Sequence, residues 1–249
     1  MSRVLFVRHG ETTWNREGRI QGWASTPLTG RGRDQARATG ELLRAAGVDR
    51  VVASDLQRAQ ETARLFREGP QRSVRYGEGG DAGRARGRGD EGPPGGEGRR
   101  GGGTGAAGAD AAGADAAGLD SPLSFERAWR ERDFGEFQGL DRSAVADRHP
   151  GFEPDESLVA VESVPDGESL ADFRCRVTAG WESLCSDFGE ETVAVVTHGG
   201  PLRAVVAEVT GLDVPTLARE WWPANCGITE VDVPGDPTVV RRDDTSHLE

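Results

Sequence analysis

The sequence predicts a three-layer α/β/α sandwich around a mostly parallel central sheet. Three short apolar runs, at 4–7, 50–53 and 192–197, are rich in β-branched residues and read as buried strands. Each is followed by a helical pattern, so strands alternate with helices, as in sheets covered on both faces. With 249 residues, 35% of them hydrophobic, the chain can build one such domain once a polar insertion is set aside.

The first strand, Val4-Leu5-Phe6-Val7, runs directly into Arg8-His9-Gly10-Glu11-Thr12. Gly10 is expected to let the backbone turn at the strand's C-terminal end, the edge where open α/β sheets bind ligands. Residues 14–23 read as a polar loop whose Trp14 and Trp23 could wall a pocket. Thr29 is a predicted N-cap for a helix that buries Ala36, Leu42, Leu43 and Ala46 and ends at Gly47. After the second strand, Ser54 or Asp55 is expected to cap a helix over 56–67, with Arg58 in its first turn.

Residues 77–118 hold seventeen of the 36 Gly and close on the repeat GADAAGADAAG. With almost no large side chains, this insertion cannot offset the entropy of ordering and is expected to be disordered. The chain therefore reads as a single domain, 1–249, interrupted at 77–118.

Beyond the insertion, 129–139 reads as a loop packing acids between aromatics, 141–148 as a short helix and 151–165 as irregular. The clearest helix spans 168–188, where Leu170, Phe173, Val177, Trp181, Leu184 and Phe188 make one apolar stripe. Cys175 and Cys185 are expected in or beside that packing. The strand at 192–197 ends in His198-Gly199-Gly200-Pro201 and a helix to about 209, repeating the opening pattern of apolar strand, His, Gly and helix. A helix over 215–220, strands over 228–233 and 238–241, and a loose tail from Asp243 finish the domain.

Composition excludes several function classes. Net charge is −12 and the chain has no Lys, so all 30 basic residues are Arg. Such an acidic surface disfavours nucleic acid as a partner. It suits a high-salt cytosol or reflects GC-rich codons, and the two readings are compatible. No run approaches the ~18 consecutive apolar residues of a membrane span, and no signal peptide is expected ahead of the first strand. Three scattered Cys without CxxC spacing indicate reduced thiols and a cytoplasmic location. A homodimer is compatible with the sequence.

The three strand-to-helix junctions bring Arg8, His9, Arg58 and His198 to one rim. Guanidiniums offer forked donors matched to phosphate oxygens. One imidazole can serve as nucleophile near neutral pH, its reference pKa being about 6.5; the other can donate to oxygens that gain charge. Glu131, on its aromatic-flanked loop, is a reasonable proton donor for a leaving alkoxide. There is no Walker A loop, GxSxG, HExxH or Asp-rich cluster. Two His and one Glu could ligate zinc, but the neighbouring Arg charges disfavour a cation, so no metal is expected.

These residues resemble the histidine phosphatase superfamily, the phosphoglycerate-mutase-like group, over about 1–70 and 124–233. RHGETTWN (8–15), RIQGW (19–23), SDLQRAQETA (54–63), ERDFGEFQG (131–139), PDGES (165–169) and THGGPLR (197–203) follow in the family's order. The resemblance implies a phosphohistidine on His9, a phosphate pocket of Arg8, Arg58 and His198, and Glu131 as proton donor. It further implies contacts to the phosphoryl group or substrate from Asn15, Gln21, Gly22 and the Gly199 backbone, with no cofactor. The expected activity is a metal-independent phosphomonoester hydrolase acting on a small phosphorylated metabolite. Phosphoglycerate mutase and an inert phospho-ligand-binding module are the alternatives. Bisphosphoglycerate-dependent mutases typically carry Asn at the position of Gly200 and extra basic residues for a carboxylate; their absence favours a phosphatase. The Gly-rich insertion between Arg58 and Glu131 departs from the family pattern. Sugar phosphates, phosphoglycerates, nucleotide-loop phosphates of cobamide synthesis and phosphoproteins all remain open as substrates.

Overall fold

The computed structural model describes residues 2–68, 119–149, 152, 157–187 and 189–249. The insertion expected to be disordered, Phe188 of the predicted stripe and part of 151–165 lie outside the described residues.

Strands β1 (Arg3–Arg8), β2 (Arg50–Ser54), β3 (Leu123–Glu126), β4 (Thr192–Thr197), β5 (Ile228–Asp232) and β6 (Thr238–Asp244) form one sheet in the order β3-β2-β4-β1-β5-β6. The first four of that order are mutually parallel; β5 runs antiparallel to β1, and β6 antiparallel to β5. The mostly parallel sheet is thus present, as a mixed sheet. Strand β3 was not expected: it lies at the sheet edge, three of its four residues are exposed, and it offers no apolar run to read.

Helices α1 (Thr13–Arg16), α2 (Gly30–Ala45), α3 (Gln57–Leu65), α4 (Arg142–Arg148), α5 (Leu170–Ser186), α6 (Gly199–Thr210) and α7 (Val214–Glu220) complete the layers. Alternate strand residues face opposite sides. Val4 and Phe6 of β1 and Val193 and Val195 of β4 pack with α5, α6 and α7. Leu5, Val7, Ala194 and Val196 pack with α2 and α3. Two cores on two faces of one sheet make the three-layer sandwich.

Several local expectations change. The polar loop after β1 opens with α1, where Thr12 and Asn15 form a capping box. Thr29 does cap α2, accepting from the Gly32 N–H. Neither Ser54 nor Asp55 occupies the cap of α3: Leu56 does, without a side-chain bond. Asp55 is instead drawn into a bidentate pair with Arg130 at 2.6 and 2.7 Å. Cys175 is exposed, outside the packing. The tail is not loose: Ser246–Leu248 form a 3-10 turn, Leu248 packs on the α2–α3 core, and His247 Nε2 lies 3.0 Å from Thr39 Oγ1. Gly10 is not in a left-handed turn. Its role is close approach, since a Cβ there would lie 2.5 Å from the Gly32 carbonyl oxygen at the head of α2.

Candidate active site

Strands β1, β2 and β4 are sheet neighbours, with Arg8 beside Thr197 and Ala53 beside Val196 in register. Their C-terminal ends therefore deliver Arg8-His9, Ser54 with Arg58, and His198 to one place. The sequence favours these ends because each buried apolar run stops where a charged or polar residue follows.

His9 is buried, yet it lines a cavity of about 270 Å³. Its Nδ1 lies 2.8 Å from the Gly10 carbonyl oxygen, so Nδ1 carries the proton. Nε2 is left with its lone pair and accepts from Arg58 Nε at 3.2 Å. Burial, then Arg58 and Arg8, hold the imidazole well below its usual 6.5. At neutral pH the ring is neutral, with its Nε2 lone pair free of a proton.

Arg58 is buried on the first turn of α3 and also donates to the Gly22 carbonyl (2.8 Å) and the Ala24 carbonyl (3.1 Å). Burial pushes its guanidinium down to about 10, which still leaves it cationic at neutral pH. Arg8 is buried too; it donates through Nη1 to the Pro223 carbonyl, and its Nε has no hydrogen-bond partner.

His198 does not line the cavity. It is fully buried, with its ring centroid 5.1 Å from that of His9. Its Nε2 lies 2.8 Å from Ser54 Oγ, and its Nδ1 has no partner. Burial, followed by Arg58, His9 and Arg8, lowers its pKa well below 6.5. An orphaned buried nitrogen at this rim is an unfilled hydrogen-bond position.

Glu131 reaches the cavity wall from its loop. Its Oε2 accepts from the Gly200 N–H at 3.2 Å, its Oε1 from the Arg132 N–H at 2.9 Å. The carboxylate thus rests on the N-terminal turn of α6, where exposed N–H groups favour an anion. Gly200 makes room for it: a Cβ there would overlap Glu131 Oε1. The backbone of Glu131 is fixed as well, its carbonyl accepting from Trp23 Nε1 (2.7 Å) and Arg176 Nη2 (3.2 Å).

Asn15, Gln21, Gly22 and Gly199 all line the cavity. Asn15 Oδ1 accepts from the Thr12 N–H at 3.1 Å, and Gln21 Oε1 accepts from Thr26 Oγ1 at 2.7 Å.

Sequence reasoning missed Arg203, Asn225 and Trp222. Arg203, buried on α6 and lowered to about 10 chiefly by burial, lines the cavity and donates twice to the Trp221 carbonyl, at 2.9 and 2.7 Å. Asn225 Nδ2 donates to the His9 carbonyl at 2.9 Å and to Asn15 Oδ1 at 3.3 Å. The Arg at the end of THGGPLR was a visible signal for Arg203. Asn225 and Trp222 lie in a loop with no motif. In all, Arg8, Arg19, Arg58, Arg142 and Arg203 line the cavity against one carboxylate, Glu131. Among the described residues, no group of three or more His, Cys, Asp or Glu is placed to hold a metal ion. No helix among them is long and apolar enough to cross a membrane.

A cavity lined by five Arg and His9 at the C-terminal edge of an α/β sheet, with His198 packed against His9, has the chemistry to take an anion. The family model described as the histidine phosphatase superfamily (branch 1) matches residues 4–79 and 109–245, and the chain belongs to that superfamily. "Probable phosphoglycerate mutase GpmB" from Enterobacter sp. (strain 638) is 30% identical over 259 residues, covering 100% of this chain and 96% of that protein. Among solved structures, Bacillus stearothermophilus YhfR superposes with a TM-score of 0.73 at 24% identity, over 100% of both chains. The alpha-ribazole phosphatase of Shigella flexneri does so with a TM-score of 0.67 at 21% identity, over 97% of this chain and 96% of that one. The two structural likenesses establish the fold.

Proposed function

We propose that this protein is a metal-independent phosphomonoester hydrolase that works through a phosphohistidine on His9 and acts on a small phosphorylated metabolite. The observation that carries the reading is His9 itself: it lines a cavity together with five Arg, its Nδ1 rests on the Gly10 carbonyl, and its Nε2 meets Arg58 Nε, a donor that a phosphoryl oxygen would take over.

In this mechanism Arg8 and Arg58 bind the phosphoryl oxygens. His9 Nε2 attacks phosphorus as the ester P–O bond breaks, and the imidazolium that forms keeps its Nδ1–H on Gly10. The departing alkoxide takes the proton of the Glu131 carboxylic acid. The Glu131 carboxylate then takes a proton from water, the hydroxide attacks phosphorus, and the P–N bond breaks to release inorganic phosphate and neutral His9. The Ser54 hydroxyl donates to His198 Nε2, which leaves a proton on Nδ1 for an equatorial oxygen. Asn15, Gln21 and the Gly199 N–H complete the phosphoryl cradle.

Phosphoglycerate mutase is the second reading, favoured by the mutase name of the 30% identical relative. Gly200 supports hydrolysis instead, since bisphosphoglycerate-dependent mutases typically carry Asn at that position, and here a Cβ would meet Glu131 Oε1. Turnover of p-nitrophenyl phosphate in the presence of a chelator, lost in His9→Ala, is the expected result; activity that survives the substitution overturns it. Interconversion of 3- and 2-phosphoglycerate stimulated by 2,3-bisphosphoglycerate would establish the mutase.

A further inference from the structure

Besides its Arg residues, His9 and Glu131, the cavity is lined by a set of apolar side chains: Trp14, Ile20, Phe134, Leu158, Val159 and Trp222. Trp222 stands out. It is 63% exposed, more than any other large hydrophobic residue described, and of the exposed ones it alone lines this cavity.

Its backbone is not left free. The carbonyl before it, Trp221 O, is held by Arg203 at 2.9 and 2.7 Å, and the carbonyl after it, Pro223 O, is held by Arg8. Arg203 Cζ also lies 4.9 Å from the Trp222 ring centroid, a cation–π contact. Two cations of the phosphate end thus clamp the chain on either side of an exposed indole. An exposed Trp leaves a large apolar face in water, and this one is held at the cavity wall by contacts on either side.

We propose that Trp222 is a specificity-determining wall and that the preferred substrates are phosphomonoesters whose leaving group carries a flat apolar ring, stacked against the indole. This rests on the phosphatase reading and narrows its substrate class. Rings stack on a pre-positioned aromatic face with little loss of conformational freedom.

The test compares benzyl phosphate with glycerol 1-phosphate, both esters of alkyl alcohols, so that leaving-group acidity does not dominate. The wild-type enzyme should prefer benzyl phosphate by about tenfold or more in kcat/KM, expressed in KM. Trp222→Ala should collapse the ratio towards one, and Trp222→Phe should restore most of it. An equal loss on both substrates, or a wild-type preference for glycerol 1-phosphate, overturns the proposal. Binding separates it from the hydrolase reading. Benzylphosphonate should bind about tenfold tighter than methylphosphonate by calorimetry, and Trp222→Ala should erase the difference. If neither ester is hydrolysed yet this difference stands, the hydrolase reading falls and the ring site survives. If the two phosphonates bind alike, the ring site falls whatever the activity.

Discussion

His9 follows β1 and His198 follows β4, and those strands pair in register from Arg3 with Thr192 to Arg8 with Thr197. Both rings are buried, and burial together with Arg58 depresses both pKa values. Their surroundings nevertheless differ. His9 faces the cavity, with Nδ1 on its neighbour's carbonyl and Nε2 turned to the Arg58 side. His198 lies behind it at the head of α6, with Nε2 on Ser54 and Nδ1 unfilled. In the proposed mechanism these two junctions, written in the same residue types, would take two tasks, the cavity-lining His9 as nucleophile and the buried His198 as charge-stabilising donor.

Substitutions at each ring break this comparison to different extents. His9→Ala should lower kcat by about 10⁴-fold or more and abolish the phospho-enzyme, because it removes the proposed nucleophile. His198→Ala should cost roughly 10²- to 10³-fold in kcat while phospho-His9 still accumulates in rapid-quench experiments. Equal losses and equal absence of the phospho-enzyme would erase the proposed division. Glu131→Gln should cost roughly 10²-fold on alkyl phosphates and far less on p-nitrophenyl phosphate, whose phenolate leaves without a proton. A uniform loss would remove Glu131 from the donor role.

The smallest effect is on stability. Both His have folded pKa values below the unfolded value of about 6.5, so below that pH the unfolded chain binds more protons. Their contribution is fully present above about pH 6.5 and is lost as pH falls towards the depressed native values. Tm should therefore drop between pH 7 and 5 in thermal melts, with a shallower slope in His9→Asn and His198→Asn. An unchanged slope in both variants contradicts the burial of neutral rings.

Much of this was legible from the residues alone. The runs at β1, β2 and β4 declare themselves because strands buried on both faces must be continuously apolar, and the His-Gly steps that follow mark their ligand edge. Edge strand β3 could not be read, because exposure removes its apolar pattern. The order of the tail was hidden for a related reason: His247 and Leu248 are fixed by Thr39 and the α2–α3 core, partners about 200 residues away. Asp55 illustrates competition, since a good capping residue by type is taken by Arg130. Arg203 and Asn225 act on the site through carbonyls of the 221–225 loop and of His9, contacts that only the folded chain creates.

The most direct test is to quench the enzyme in base during turnover of p-nitrophenyl phosphate, digest it and locate the phosphoryl group by mass spectrometry. A base-stable, acid-labile phosphoryl group on His9, absent from His9→Ala, is the predicted result. A phosphoryl group on His198 or another residue, or steady turnover with no covalent intermediate under rapid quench, would contradict it.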